Sequence, residues 1–349
     1  MSVLRSIAHG ILPSLLVAMP LVAQQGPLTI GRITATPGTR ASGFLEVPAG
    51  VDEATRIPIT IIRGAQPGPT LALVGGTHGS EVAPVIALQR LRALVNPAEL
   101  RGTLLIVHVA NMPSFLGRTI YYSPVDRKNL NRMYPGNPSG TVSQRIAHAI
   151  TTEIIERADY LIDMHSGDGN ESLRPYLYLN RMGEDARVDS LAREMALAWG
   201  ATHVIVDTTR FPDRAKAVYT QHTAHLRGKP ALTTETGYLG QPEPEMVERN
   251  VDGALRVLRF LGMLPGVVEQ ARPVWLSHFE VLTSPETGVW HQVVERGHTV
   301  AEGAVIGRLT DFFGDEIAVV RAPFDGEIMY VVGTPAMSKG EPVAMVARR

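Results

Sequence analysis

The chain has 349 residues, enough for one large core plus a smaller module at the roughly 100–200 residues typical of a domain. Its 44% hydrophobic and 19% charged residues are those of an ordinary globular protein and exclude long disordered tracts. A formal charge of −1 excludes nucleic acid or anionic lipid as partners recognised by bulk charge, and the lack of cysteine excludes thiolate catalysis and cysteine-held metal.

The first 23 residues read as a signal peptide: Arg5 gives a weak positive region, and Ile11 to Val22 form an apolar run shorter than the ~20 residues of a spanning helix. This reading implies export to a periplasmic or secreted location, with no stable membrane insertion once the segment is removed; if the segment is not a signal, the location is cytoplasmic. From about residue 70, short apolar β-rich runs alternate with segments of helical period, which predicts an α/β domain over 24–265 with a mostly parallel mixed sheet. The predicted strands are Thr70–Val74, Thr103–Ala110, Tyr160–Asp163, His203–Val206 and Ala231–Thr234. Glu81–Val95, Val142–Glu156, Asp185–Ala198 and Pro244–Leu261 carry apolar residues three or four apart and are predicted as helices covering both faces. Gly43–Arg63 alternates at Ile57, Ile59 and Ile61 and is read as an antiparallel edge. After Leu264-Pro265-Gly266 the helical period disappears, so 266–349 is expected to form a small all-β domain, its strands beginning near Val274.

Three predicted strand ends carry the chemistry. Leu71–Val74 runs into Gly75-Gly76-Thr77-His78-Gly79-Ser80-Glu81, which sets a His and a Glu three apart at the carboxyl end of a strand, where open α/β sheets bind ligands. A second end, Asp163-Met164-His165-Ser166-Gly167, offers another His. Two His and one Glu form a known catalytic zinc set that leaves a position for water, so His78, Glu81 and His165 are the candidate ligands of one zinc per chain. Asp163, two residues before His165 on the same strand face, can hold that imidazole through its ring N–H. At the third end Glu235 follows an uncharged run and is the candidate general base. Between them lies a long loop dense in donors, Asp126 to Gly136, in which Asn131 and Arg132 can hold a carboxylate.

The motifs GGTHGSE, NLNRMYPG, DMHSG and TETG, in that order, resemble the succinylglutamate desuccinylase/aspartoacylase family of the zinc carboxypeptidase clan. The resemblance covers roughly 55–349. It implies zinc on His78, Glu81 and His165, Glu235 as base, and Asn131 and Arg132 on the substrate carboxylate. It further implies an arginine that polarises the scissile carbonyl. Tyr121, Tyr122 and Ser123 stand where relatives carry that arginine, which leaves Arg118 and Arg127 as the candidates. The tail resembles the family's small β domain, similar in shape to lipoyl and biotinyl modules. Lys339 lies two residues past Ala336-Met337, outside the carrier position, so the tail is read as a cap over the zinc.

The implied activity is removal of an acyl group from an N-acyl amino acid or similar carboxylate-bearing amide. An exported carboxypeptidase on peptides or cell-wall fragments, and a non-catalytic zinc-binding protein, are the alternatives. The expected partner is a small-molecule or peptide substrate with a carboxylate, and a homo-oligomer stays open.

Overall fold

The computed structural model describes residues 26–209 and 218–349, so the predicted signal peptide lies outside the described residues. A hairpin, β1 (Leu28–Ile30) and β2 (Ile33–Ala35), precedes β3 (Thr39–Val47), β4 (Thr55–Arg63) and β5 (Gln66–Gly75). The chain continues through α1 (Val82–Leu94), β6 (Arg101–Val107), the short α2 (Met112–Gly117) and α3 (Val142–Ile150). Then come β7 (Tyr160–His165), β8 (Glu171–Leu173), β9 (Tyr176–Asn180), α4 (Ala186–Trp199) and β10 (His203–Asp207). The helix α5 (Thr220–His225), β11 (Ala231–Glu235), α6 (Pro244–Phe260) and β12 (Val274–Leu276) complete this part.

Nine of these strands form one mixed, mostly parallel sheet in the order β12-β10-β9-β11-β7-β5-β6-β4-β3. The strands β11, β7, β5 and β6 run one way. Beyond them β9, β10 and β12 run the opposite way, since β9 pairs antiparallel with β11. On the other side β4 and β3 form the antiparallel edge expected from the alternation at Ile57, Ile59 and Ile61.

The central strands read as continuous apolar runs because both faces are covered. Along β5, Leu71 and Leu73 join the core under α1, α4 and α6, whereas Ala72 and Val74 face the core under α3. The helical stripe of α1 supplies Ala87, Leu88 and Leu91 to the first core, and Ile146, Ala147 and Ile150 of α3 supply the second. The predicted helix over Val142–Glu156 is α3 followed by one wide π turn, Thr151–Ile155.

The tail is all β. A five-stranded sheet contains β13 (His278–Thr283), β15 (Thr299–Val300), β18 (Gly326–Val332) and β20 (Pro342–Arg348), with β8 pairing onto β18. A four-stranded sheet holds β14 (Gly288–Gln292), β16 (Val305–Thr310), β17 (Glu316–Arg321) and β19 (Ala336–Met337). Two exchanges cross the expected boundary. Val274–Leu276, expected to open the tail, extends the large sheet beside β10, and β8 leaves the first part to pair antiparallel with β18. Apolar burial explains both: Leu173, Tyr176, Ile205, Leu276, Tyr330 and Met345 share one core between the two parts. No helix among the described residues is long and apolar enough to cross a membrane.

Candidate functional site

His78 stands in the turn after β5, Glu81 immediately precedes α1, and His165 ends β7. The turn is tight enough to require glycine. Gly76 has φ 67° and a Cβ there would meet Val109 Cα at 2.9 Å, while at Gly79 a Cβ would meet the Ser114 carbonyl. Asn111, at the end of the neighbouring strand, pins the same turn by donating to the Thr77 carbonyl at 3.3 Å and accepting from Ser114 N–H.

The three side chains converge as predicted, with one ligand atom from each within 4.8 Å of the others. His78 Nδ1 lies 2.6 Å from Glu81 Oε1, and His165 Nδ1 lies 2.8 Å from Glu81 Oε2. The opposite ring nitrogens are engaged elsewhere. His78 Nε2 is 3.1 Å from Asn129 Oδ1, whose orientation is set because the same oxygen accepts Asn131 N–H at 2.8 Å. His165 Nε2 is 3.1 Å from Asp163 Oδ2 on the fully buried Asp163. Both Nδ1 atoms thus face the Glu81 carboxylate, and an imidazole that gives up its Nδ1 proton can turn that lone pair to a metal at the common point.

Charge reinforces this arrangement. Burial pushes the Glu81 carboxyl up, but the two imidazoles outweigh it and hold it at about 2. Burial lowers His78 and His165, yet Glu81 reverses the balance and raises both, with Asp163 adding to the rise at His165. A buried carboxylate clasped between two imidazoles, with both Nδ1 atoms facing it, is a donor set suited to zinc.

Glu235 pairs in register with His165 on the adjacent strand and lines the same cavity. Burial raises its pKa well above the ordinary carboxylate value; nearby His165 opposes the rise and Glu81 adds to it. Asn131 is held by Thr220, whose N–H and hydroxyl donate to Oδ1 at 3.0 and 3.2 Å. Arg132 donates to the Asn131 carbonyl at 2.8 Å and stacks over the Tyr219 ring at 4.5 Å. The cavity has about 340 Å³ and also takes Tyr178 from β9 and Phe279 and Val281 from β13, so the tail supplies part of its wall.

The sequence model for the Succinylglutamate desuccinylase/Aspartoacylase catalytic domain matches residues 67–261. The chain belongs to this family. It is 30% identical over 317 residues, covering 87% of this chain and 90% of the relative, to the N-alpha-acetyl-L-2,4-diaminobutyric acid deacetylase of Halomonas elongata. Among solved structures, the succinylglutamate desuccinylase/aspartoacylase of Rhodobacter sphaeroides is 27% identical, with a TM-score of 0.77 over 88% of this chain and 95% of that one. The product-bound ectoine utilization protein of Ruegeria pomeroyi is 26% identical, with a TM-score of 0.80 over 93% of this chain and 100% of that one.

The family's carbonyl-polarising arginine has no counterpart in Arg118 or Arg127 as they are placed here. Both are exposed turn residues with positive φ, 53° and 58°, and neither lines the cavity. Among the described residues Arg132 is the cavity's one arginine. From that loop it is Tyr121 that approaches the site, its ring edge-on to His78 at 5.9 Å and its hydroxyl donating to Glu171 at 2.6 Å. Sequence reasoning also passed over Asn180, Asp207 and Thr220. Thr220 opens α5, and the alternation in Tyr176-Leu177-Tyr178-Leu179-Asn180 is the strand signal that could have flagged the first.

Proposed function

We propose that the protein is a zinc-dependent amidohydrolase that removes the acyl group from an N-acyl amino acid. The observation that carries this reading is the convergence of His78 Nδ1, His165 Nδ1 and the Glu81 carboxylate beside Glu235. His78, Glu81 and His165 would hold the zinc, which supplies Lewis acidity toward water and the scissile carbonyl. Glu235 takes the proton of the attacking water and delivers it to the departing nitrogen, a shuttle favoured by a pKa raised by burial. Arg132 holds the substrate carboxylate, and its stacking on Tyr219 fixes the guanidinium plane. Asn131, locked by Thr220, presents its amide beside His165 at 3.4 Å and orients the same end of the substrate.

A cavity of about 340 Å³ walled by Phe279 and Val281 suits a small acyl amino acid better than a long peptide. The deacetylase relative named above supports the same substrate class. In this reading the tail is a lipoyl-like β module serving as a wall, and the first 23 residues direct export. The test is metal content together with release of free amine from a panel of N-acyl amino acids and short peptides, with and without chelator. One zinc per chain and chelator-sensitive release from the acyl amino acids are expected; cleavage of peptides alone would favour the carboxypeptidase.

A further inference from the structure

The cavity extends well past the candidate metal ligands, along the face of β9. Glu235 lies opposite Tyr176 of β9, and Asn180 stands four residues further along that strand, on the same face as Tyr176 and Tyr178. One strand spacing and four residue rises put the Cα atoms of Glu235 and Asn180 about 14 Å apart. Asn180, Asp207 and Thr209 line this far end of the cavity.

The far end offers a donor in Asn180. The residue is 1% exposed, and its Nδ2 has no hydrogen-bond partner. A buried N–H left unpaired is unfavourable, and a ligand that brings an acceptor relieves it. An acceptor stands beside this donor, because Asp207 pairs with Asn180 across the β9–β10 ladder. Asp207 Oδ1 accepts the Thr209 N–H at 2.8 Å, whereas Oδ2 is 3.9 Å from His222 Nε2, too far for a hydrogen bond. Burial pushes His222 down to about 4, with Asp207 pulling it up and His225 and Arg132 adding to the fall. Arg132 and Asp207 thus act on one imidazole, and the guanidinium assigned above to the substrate carboxylate stands near the pair.

We propose that Asn180 and Asp207 form a subsite for the terminal carboxamide of an N-acyl glutamine, with Asn180 Nδ2 donating to its carbonyl oxygen and Asp207 Oδ2 accepting its N–H. This deepens the deacylase reading above and rests on it. A primary carboxamide presents one acceptor and one donor side by side, the complement of the pair. A carboxylate brings acceptors alone and would meet Asp207 with like charge. An ammonium brings donors alone and would leave Asn180 unpaired, and an alkyl chain satisfies neither residue. The α-carboxylate and the side-chain amide of one amino acid are a few bonds apart, which agrees with Arg132 and Asp207 sharing His222 as a neighbour.

The test measures amine release from the Nα-acetyl derivatives of glutamine, glutamate, lysine and norleucine, four side chains of comparable length, on the zinc-loaded protein. The wild type should favour the glutamine compound about tenfold or more in kcat/KM over each of the others, since a site built to hydrogen-bond a group rejects analogues lacking it. Asn180→Leu removes the donor at similar volume. It should bring the glutamine-to-norleucine ratio close to one and, because the lost N–H was unpaired, leave the melting temperature of the free protein level or higher. In Asp207→Asn the amide oxygen can keep the Thr209 N–H while the NH2 replaces Oδ2, so the pair becomes two donors and preference should pass to the glutamate compound. Equal use of the glutamine and norleucine compounds by the wild type, preference for the lysine or glutamate compound, or a profile unchanged in both variants would overturn the subsite. If no compound is hydrolysed, the deacylase reading fails. Calorimetric binding of Nα-acetyl-glutamine against Nα-acetyl-norleucine to wild type and Asn180→Leu then decides the subsite by itself.

Discussion

The two ends of the cavity are built on different terms. At the end with the candidate metal ligands, side chains are fixed by neighbours: Asn129 and Asp163 engage the outer nitrogens of the two histidines, Thr220 grips Asn131, and Tyr219 underlies Arg132. At the far end, where Asn180 of β9 is paired with Asp207 of β10, Asn180 has an amide nitrogen without a partner, and Asp207 accepts the Thr209 N–H and lies 3.9 Å from His222. The first arrangement suits chemistry, which needs atoms held to fractions of an ångström. The second leaves the buried Asn180 nitrogen unsatisfied, at a cost in stability.

The comparison breaks most visibly at the ligands themselves. His78→Ala or His165→Ala should reduce zinc from one per chain to none and abolish turnover, measured by metal analysis of the purified protein beside an amine-release assay. Next in size, Glu235→Gln should keep its zinc yet lose about 10²–10⁴-fold in kcat, and unchanged turnover would remove Glu235 from the mechanism. Asp163→Asn probes the supporting contact. It should weaken zinc binding about 10–100-fold in a competition titration with a chelator while the fold survives.

The smallest effect concerns the pair behind His78. Burial raises Glu171 to about 7, although the Tyr121 hydroxyl pulls it the other way. The folded metal-free protein therefore binds this proton more tightly than the unfolded chain does. Stability contributed by Glu171 is present below about 4.5 and declines as pH rises through about 7. Glu171→Gln should remove that decline, on the order of 3 kcal/mol, so melting curves of metal-free wild type should fall more steeply from pH 5 to 8 than those of the variant.

Much of the metal end was legible in the sequence because its parts are local. A glycine turn after an apolar strand places His78 and Glu81, and alternation along a strand puts Asp163 and His165 on one face. The covering helices were legible from their period, and the two-sided burial of the sheet from its unbroken apolar runs. The far end was hidden because Asn180, Asp207 and Glu235 meet only through the strand order β10-β9-β11 and the reversal of direction at β9. For Arg118 and Arg127 the charge was legible but the direction was not, since it follows from positive-φ turns in a loop without periodicity. The boundary near residue 265 was blurred by the same long-range pairing, with β12 and β8 each joining the sheet of the other part.

That exchange of strands has a consequence for how the molecule can be shortened. Glu171, which receives the Tyr121 hydroxyl, belongs to β8, and β8 is zipped through Leu173, Ser172 and Glu171 to Tyr330, Val331 and Val332. A protease cut or a stop codon near residue 265 would thus do more than shed an appendage. It would strip the ladder from β8, uncover the shared core around Tyr176 and Tyr330, and slacken the Tyr121 contact beside His78. Catalytic integrity and the last eighty or so residues are inherited as one piece.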